Sequence, residues 1–288
     1  MKIIELYGGE VPLLSLEIFP PKADYPLDTV FETLDHLIDL NPGFISVTYG
    51  AGGSNQARTV EIAARIKKEY GIESLAHLTC VRHTRAEVDG ILDELIKEEI
   101  NNILALRGDL PEDDPNFDIN QQEYRYAFEL IKDIHKKAEF GIAAAAYPNG
   151  HTECLRLKDD LINLKHKVDC GVDFLITQFF FDNRIYYDFM DKITSIQINC
   201  PVVPGIMPVL NARQIKRMLY LSGASIPGKL LKLLDKYGDD PANMEKAGIE
   251  YASSQVQDLI ANKVPGIHLY TMNKYRQITE IVKNVGLA

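Results

Sequence analysis

Tryptophan is absent from this chain of 288 residues, and its four cysteines, Cys80, Cys154, Cys170 and Cys200, stand far apart with no C-x-x-C pair. That spacing leaves no zinc or iron–sulfur site within local sequence, so no metal is expected, and it fits reduced thiols in a cytosol. No run approaches the roughly 20 apolar residues of a membrane span. The opening segment MKIIELYGGE holds no apolar stretch of signal-peptide length, and a cytoplasmic location is expected. Positive charge is in deficit, 31 Lys and Arg against 41 Asp and Glu, for a formal net charge of −10; this argues against a nucleic-acid or anionic-membrane partner. Also missing are G-x-G-x-x-G after a strand and G-x-x-x-x-G-K-[ST], which speaks against a two-domain Rossmann dehydrogenase. Gly50-Ala51-Gly52-Gly53 reads only as a flexible turn.

What is present is a series of eight short apolar runs, each with a polar or ionisable residue near its C-terminal end. They are Leu13–Phe19 with Glu17, Phe44–Tyr49 with Thr48, Ser74–Cys80 with His77, and Asn102–Asp109 with Arg107 and Asp109. Gly141–Pro148 with Tyr147, Phe174–Phe181 with Gln178, Pro201–Pro208 followed by Asn211, and Gly266–Met272 with Tyr270 and Thr271 complete the set. Polar residues at the same end of successive strands are what a (β/α)8 barrel needs to assemble one active site. Burying them singly in an apolar core is costly, so a shared polar pocket is the economical reading.

Between the runs lie segments of helical period: 27–40, 57–70, 85–99, 121–140, 157–170 and 184–196. Alternating strand and helix implies a parallel sheet, and about 250 residues make one barrel domain. The expectation is a single TIM-barrel domain over residues 1–288. After the seventh run three helical stretches occur, 212–221, 227–237 and 244–262, and the extra ones read as an insertion before the last strand. The alanines of 143–146 favour helix, but Gly141 and Pro148 bracket a short strand; the small side chains serve either tight packing or a flat cofactor. The acidic stretch Pro111–Asp118 reads as an exposed loop that could act as a lid.

Glu17 stands between Leu16 and Ile18. Desolvation disfavours the carboxylate there, which suits general acid work near neutral pH; a structural carboxylate is the alternative. Arg107-Gly108-Asp109 puts a cation, a glycine permitting close backbone approach and an anion at one strand end. The bland alternative is a local Arg107–Asp109 ion pair. His77, His83 and His151 lack metal-ligand spacing. Phe179-Phe180-Phe181 reads as alternating core positions of a strand.

Several longer motifs carry a resemblance: Leu16-Glu17-Ile18-Phe19-Pro20-Pro21, Ser46-Val47-Thr48-Tyr49-Gly50-Ala51, Ala76-His77-Leu78-Thr79-Cys80 and Ala105-Leu106-Arg107-Gly108-Asp109-Leu110-Pro111. So do Ala145-Ala146-Tyr147-Pro148, Asn163-Leu164-Lys165-His166-Lys167-Val168-Asp169, Thr177-Gln178-Phe179-Phe180-Phe181-Asp182 and Pro204-Gly205-Ile206-Met207-Pro208-Val209. In order and over nearly the whole chain, they resemble methylenetetrahydrofolate reductase in its short bacterial form without a regulatory domain. The resemblance implies an FAD-dependent barrel that reduces 5,10-methylenetetrahydrofolate to 5-methyltetrahydrofolate by hydride transfer from the flavin. The flavin is itself reduced by NADH, NADPH or an electron-donor partner protein. It implies Glu17 as general acid and Asp109 beside the flavin pyrimidine edge and the folate. Gln178, Tyr270 and Lys274 fall on the folate side. Thr48, His77, Arg107, Gly108, Tyr147, His151, Asp160, Asn163 and Lys167 match flavin-contacting positions. A homo-oligomer is expected.

Three departures from the family pattern stand out. Ala212 follows Asn211 where a stacking aromatic is usual, Lys274 stands where an arginine is usual near the folate tail, and His166 replaces a second basic residue near the flavin phosphates. The residues leave two alternatives open: a related flavin barrel oxidising a proline-type amine, and a folate- or partner-binding subunit without redox activity.

Overall fold

The computed structural model describes residues 1–21, 24–49, 56–111, 114 and 116–287. The Gly50–Gly53 turn and Glu112, Asp113 and Pro115 of the acidic loop lie outside that set. Nine parallel strands, β1 (Leu13–Ile18), β2 (Phe44–Val47), β3 (Glu73–Thr79), β4 (Asn102–Leu106), β5 (Gly141–Ala146), β6 (Phe174–Thr177), β7 (Val202–Val203), β8 (Gly205–Ile206) and β9 (Gly266–Tyr270), run in the order β7-β6-β5-β4-β3-β2-β1-β9-β8. β7 and β8 are the two halves of the seventh apolar run, divided at Pro204. Proline has no N–H to give the ladder, but its carbonyl still accepts from His268 N at 3.0 Å. The sheet therefore curls into an α/β TIM barrel in which β7 pairs with β6 and β8 with β9. Gly205 is required by close approach: a Cβ there would run into the Thr177 carbonyl and the Tyr270 ring.

Helices α1 (Asp28–Leu37), α2 (Gln56–Tyr70), α3 (Arg85–Lys97), α4 (Ala127–Lys137), α5 (Leu157–Asp169) and α6 (Asn183–Ser195) follow the first six strands. α7 (Ala212–Ser222), α8 (Gly228–Tyr237) and α9 (Pro241–Ala261) are the three expected helices before the last strand, two more than a single crossover needs, and α10 (Tyr275–Val285) follows β9. Two helix starts move from the expected places. α4 begins at Ala127, because Glu129 folds back to accept the Arg125 and Tyr126 amides at 2.6 and 2.9 Å, the N3 half of a capping box. α9 begins at Pro241, with Asp240 Oδ1 accepting from Asn243 N at 3.2 Å.

The main core lies between the barrel wall and its helices, and a second layer fills the barrel itself: Ile3, Phe44, Leu75, Leu104, Ala143, Phe174, Ile176 and Val203. The 3-10 turn Ile3–Leu6 supplies Ile3 to that layer. A third cluster joins Phe179, Phe181, Met207 and Val209 to Ile215 and Leu230 of the inserted helices. Phe179–Phe181 is not strand, since β6 ends at Thr177. The alternation survives: Phe180 stacks on Tyr186 in the main core, while Phe179 and Phe181 face the insertion.

Candidate active site

The barrel strands stop one to three residues short of most of the polar residues singled out, so these stand on the loops at the C-terminal rim, where barrel sites form. Thr48 follows β2, Arg107, Gly108 and Asp109 follow β4, Tyr147 and His151 follow β5, and Gln178 follows β6. Thr48, His77, Arg107, Gly108, Asp109, Tyr147 and His151 meet around one cavity of about 310 Å³, together with the rings of Phe19 and Tyr49. A second cavity of about 440 Å³ shares Arg107, Tyr147 and His151 with the first and runs outward over α5, reaching Asp160, Asn163, His166 and Lys167. Thus every residue expected to touch a flavin lines one continuous pair of cavities. Both volumes lie in the range of ligand sites.

The geometry of the first cavity rests on backbone requirements. Gly108 has φ +91, and a Cβ on it would press on Val81 Cγ1 at 2.6 Å. Only glycine takes this conformation at no steric cost. Arg107 does not pair with Asp109: its Nη1 and Nη2 donate to the two Glu153 oxygens at 2.6 and 2.5 Å. Asp109 is exposed at the rim. Glu153 N in turn donates to His151 Nδ1 at 3.2 Å, and His151 N donates to Asp160 Oδ2 at 3.0 Å. Burial holds the His151 imidazole below its ordinary pKa, in keeping with an unprotonated Nδ1 that accepts.

The second cavity is basic where it meets α5. Lys167 Nζ donates to the Ala145 carbonyl at 2.5 Å, and burial pushes its pKa down to about 8 against the opposing pull of Asp160. Ala145 is the alanine of 143–146 that lines this cavity, while Ala143 packs in the barrel layer and Ala144 and Ala146 in the main core. Three of the four alanines thus serve packing, and one borders a cavity. Farther out, the Phe128 ring lies 4.4 Å from His166 and 5.7 Å from Tyr126.

A second group lies beneath the mouth. Glu17 is 6% exposed. Its Oε2 stands 3.5 Å from His77 Nε2 and 3.6 Å from His268 Nε2. His268 Nδ1 bonds Ser15 Oγ at 2.9 Å. Burial, outweighing the nearby carboxyl, lowers the His77 pKa to about 4, so His77 meets Glu17 as a neutral imidazole rather than as an ion-pair partner. Both imidazole Nε2 atoms and Ser46 Oγ are buried without a hydrogen-bond partner, unusual for buried polar atoms. Tyr270 is Glu17's register neighbour on β9, and its hydroxyl donates to the Thr177 carbonyl at 2.7 Å, next to Gln178. Glu17, Tyr270 and Gln178 line neither cavity; Glu17 adjoins the first through His77. Lys274, exposed at the start of α10, lines neither cavity. Ala212 is half-buried against the insertion cluster and lines neither cavity.

Sequence reasoning missed His268 and Glu153. The signal for His268 was faint, a lone imidazole inside the run Gly266–Met272.

The methylenetetrahydrofolate reductase family matches residues 2–286. The 5,10-methylenetetrahydrofolate reductase of Escherichia coli (strain K12) is 36% identical over 274 residues, 95% of this chain and 90% of that protein. Methylenetetrahydrofolate reductase (NADH) 1 of Arabidopsis thaliana is 34% identical over 284 residues, and there the chain spans 48% of its relative. Against the plant relatives the chain therefore spans about half their length. A solved structure titled as an uncharacterized protein from Clostridium thermocellum that binds two copies of 5-methyl-5,6,7,8-tetrahydrofolic acid shares the fold, with TM-score 0.65 and 13% identity, over 98% of this chain and 95% of that one. With its motifs in order and the family matched from end to end of the barrel, this chain belongs to the methylenetetrahydrofolate reductase family.

Proposed function

We propose that this protein reduces 5,10-methylenetetrahydrofolate to 5-methyltetrahydrofolate with FAD as resident cofactor and NADH or NADPH as electron donor. The observation that carries the reading is the convergence of the flavin-type residues on two adjoining cavities, with the Glu17 carboxyl 3.5 Å from His77 in the wall of the first.

The residues present fit FAD. The first cavity has aromatic walls at Tyr49 and Tyr147 and a glycine at Gly108, as a flat ring system needs. The second offers Lys167, Arg107 and Asn163 to a phosphate-bearing tail and the Phe128 ring to a planar base. FAD bound there would supply the hydride that reduces the folate. Thr48, His77 and Tyr147 would orient its ring, and Asp109 would place a negative charge at the rim.

Glu17 would give its proton to N10 of the folate, breaking the bond from N10 to the bridging methylene. The iminium so formed at N5 accepts the hydride, and the methylene becomes a methyl group. His77, kept neutral by burial, and His268, tied to Ser15, flank the Glu17 carboxyl at 3.5 and 3.6 Å and hold it in place for proton transfer. Gln178 and Tyr270 would position the pterin.

The donor is most simply NADH, as the name of the Arabidopsis relative says of that protein; a partner protein is the other source. The test is direct. Protein purified with flavin absorbance, reduced anaerobically by NADH and then mixed with 5,10-methylenetetrahydrofolate should yield 5-methyltetrahydrofolate. Flavin-free protein that cannot be reconstituted would favour a binding subunit. Reoxidation by imines of the proline type, with none by folate, would favour an amine dehydrogenase.

A further inference from the structure

The segment after β9 holds the C-terminal end of the strand that carries Glu17. Thr271 Oγ1 donates to the Glu17 carbonyl at 2.6 Å, and Thr271 N donates to the same oxygen at 3.2 Å. Two residues on, the side-chain amide of Asn273 pairs with both backbone groups of Phe19: Phe19 N donates to Oδ1 at 3.0 Å, and Nδ2 donates to the Phe19 carbonyl at 2.9 Å. The amide thus extends the β1–β9 ladder by one backbone-like pair, past the last register pair at Glu17 and Tyr270. Reaching that position puts Met272 and Asn273 in left-handed conformation, φ 49 and 55. Asparagine tolerates it; methionine seldom takes it. Met272 is 45% exposed, so its own packing does not hold it there. Such strain persists only where the surroundings over-determine it, and it gathers at functional sites. Phe19 lines the first cavity.

We propose that Asn273 is a positioning residue for the acid: by clamping Phe19 across the barrel seam it fixes both the aromatic wall of the mouth and the Glu17 carboxyl two residues before it. This rests on the reading of Glu17 as proton donor, and the test separates the two.

Asn273→Gly keeps the turn, because glycine enters the left-handed region freely, and removes only the amide pair. The Phe19 amide should then exchange with solvent faster in the purified protein. Single-turnover oxidation of the reduced flavin by saturating folate should slow by about tenfold or more, since small misplacements are costly at the reacting centre. Reduction by the nicotinamide should stay within about twofold, because it does not use the acid. Met272→Gly, which relieves strain and leaves the clamp, should match wild type in all three. Asn273→Asp, should the glycine variant not fold, still accepts from Phe19 N but when ionised cannot donate to its carbonyl; it should shift both readouts the same way. Unchanged Phe19 exchange, or a wild-type folate rate despite faster exchange, overturns the proposal. Glu17→Gln run in parallel discriminates: a fast Glu17→Gln protein sinks the acid assignment itself, whereas slow Glu17→Gln beside fast Asn273→Gly sinks the clamp alone.

Discussion

The guanidinium of Arg107 is gripped by both carboxylate oxygens of Glu153, at 2.6 and 2.5 Å, where the two cavities join. The pair is unequal: the arginine side chain is 18% exposed and the glutamate 48%. The more exposed partner is the anion, and its charge stands where an anionic cofactor would pass. Glu153→Gln keeps a hydrogen-bonding partner for Arg107 and removes that charge. Flavin binding to the flavin-free protein should tighten severalfold, on the order of 1 kcal/mol or less for so exposed a partner. The gain should shrink as salt rises. Titration at low and high ionic strength checks this; equal or weaker binding at both would show Glu153 to be a needed support.

Lys167 gives the site a pH dependence of definite sign. Its folded pKa is near 8, below the ordinary 10.5, because burial disfavours the charged amine. Between those two values the unfolded chain holds a proton that the folded one has lost, so this residue's contribution to stability rises with pH across that window. An anionic ligand does the opposite and recharges the amine. Flavin affinity should be flat below pH 8 and fall above it, by at most about tenfold per pH unit. Lys167→Met should bind more weakly with no slope between pH 8 and 9. A slope that survives in Lys167→Met would assign the titration elsewhere.

Asp109 is free of the Arg107 fork and sits exposed on the cavity rim. A carboxylate beside the flavin pyrimidine edge opposes the anionic reduced form. Asp109→Asn should raise the flavin midpoint potential on the order of 30 mV, about 1.4 kcal/mol for a two-electron couple. It should also weaken folate binding. Spectroelectrochemistry giving the wild-type potential would place this carboxylate away from the flavin.

The barrel was legible because strands buried on both faces read as continuous apolar runs, and each of the eight runs holds a strand that starts within one residue of the run's own start, β8 alone beginning inside a run. The break at Pro204 was visible as a proline but not as a ladder that resumes beyond it. α10 went unmarked although Ile278, Ile281 and Val282 lie at helical spacing. α4 was drawn too long because Tyr126 is no ordinary cap. In the site, the rim residues were legible one by one, since each stands next to its own strand. Their partners were not. Ser15 and His268 are 253 positions apart and Arg107 and Glu153 46 apart, and only barrel closure and the folding of the β5–α5 loop bring them together.

The central claim is that Glu17 supplies the proton for folate reduction in a flavin barrel. Reduced wild-type and Glu17→Gln proteins, mixed anaerobically with 5,10-methylenetetrahydrofolate and followed at the flavin absorbance, test it in one experiment. Both should retain flavin and be reduced by the nicotinamide at similar rates. Wild type should then be reoxidised rapidly with formation of 5-methyltetrahydrofolate, and Glu17→Gln about 10²–10⁴-fold more slowly. Reoxidation of Glu17→Gln at the wild-type rate would contradict the account.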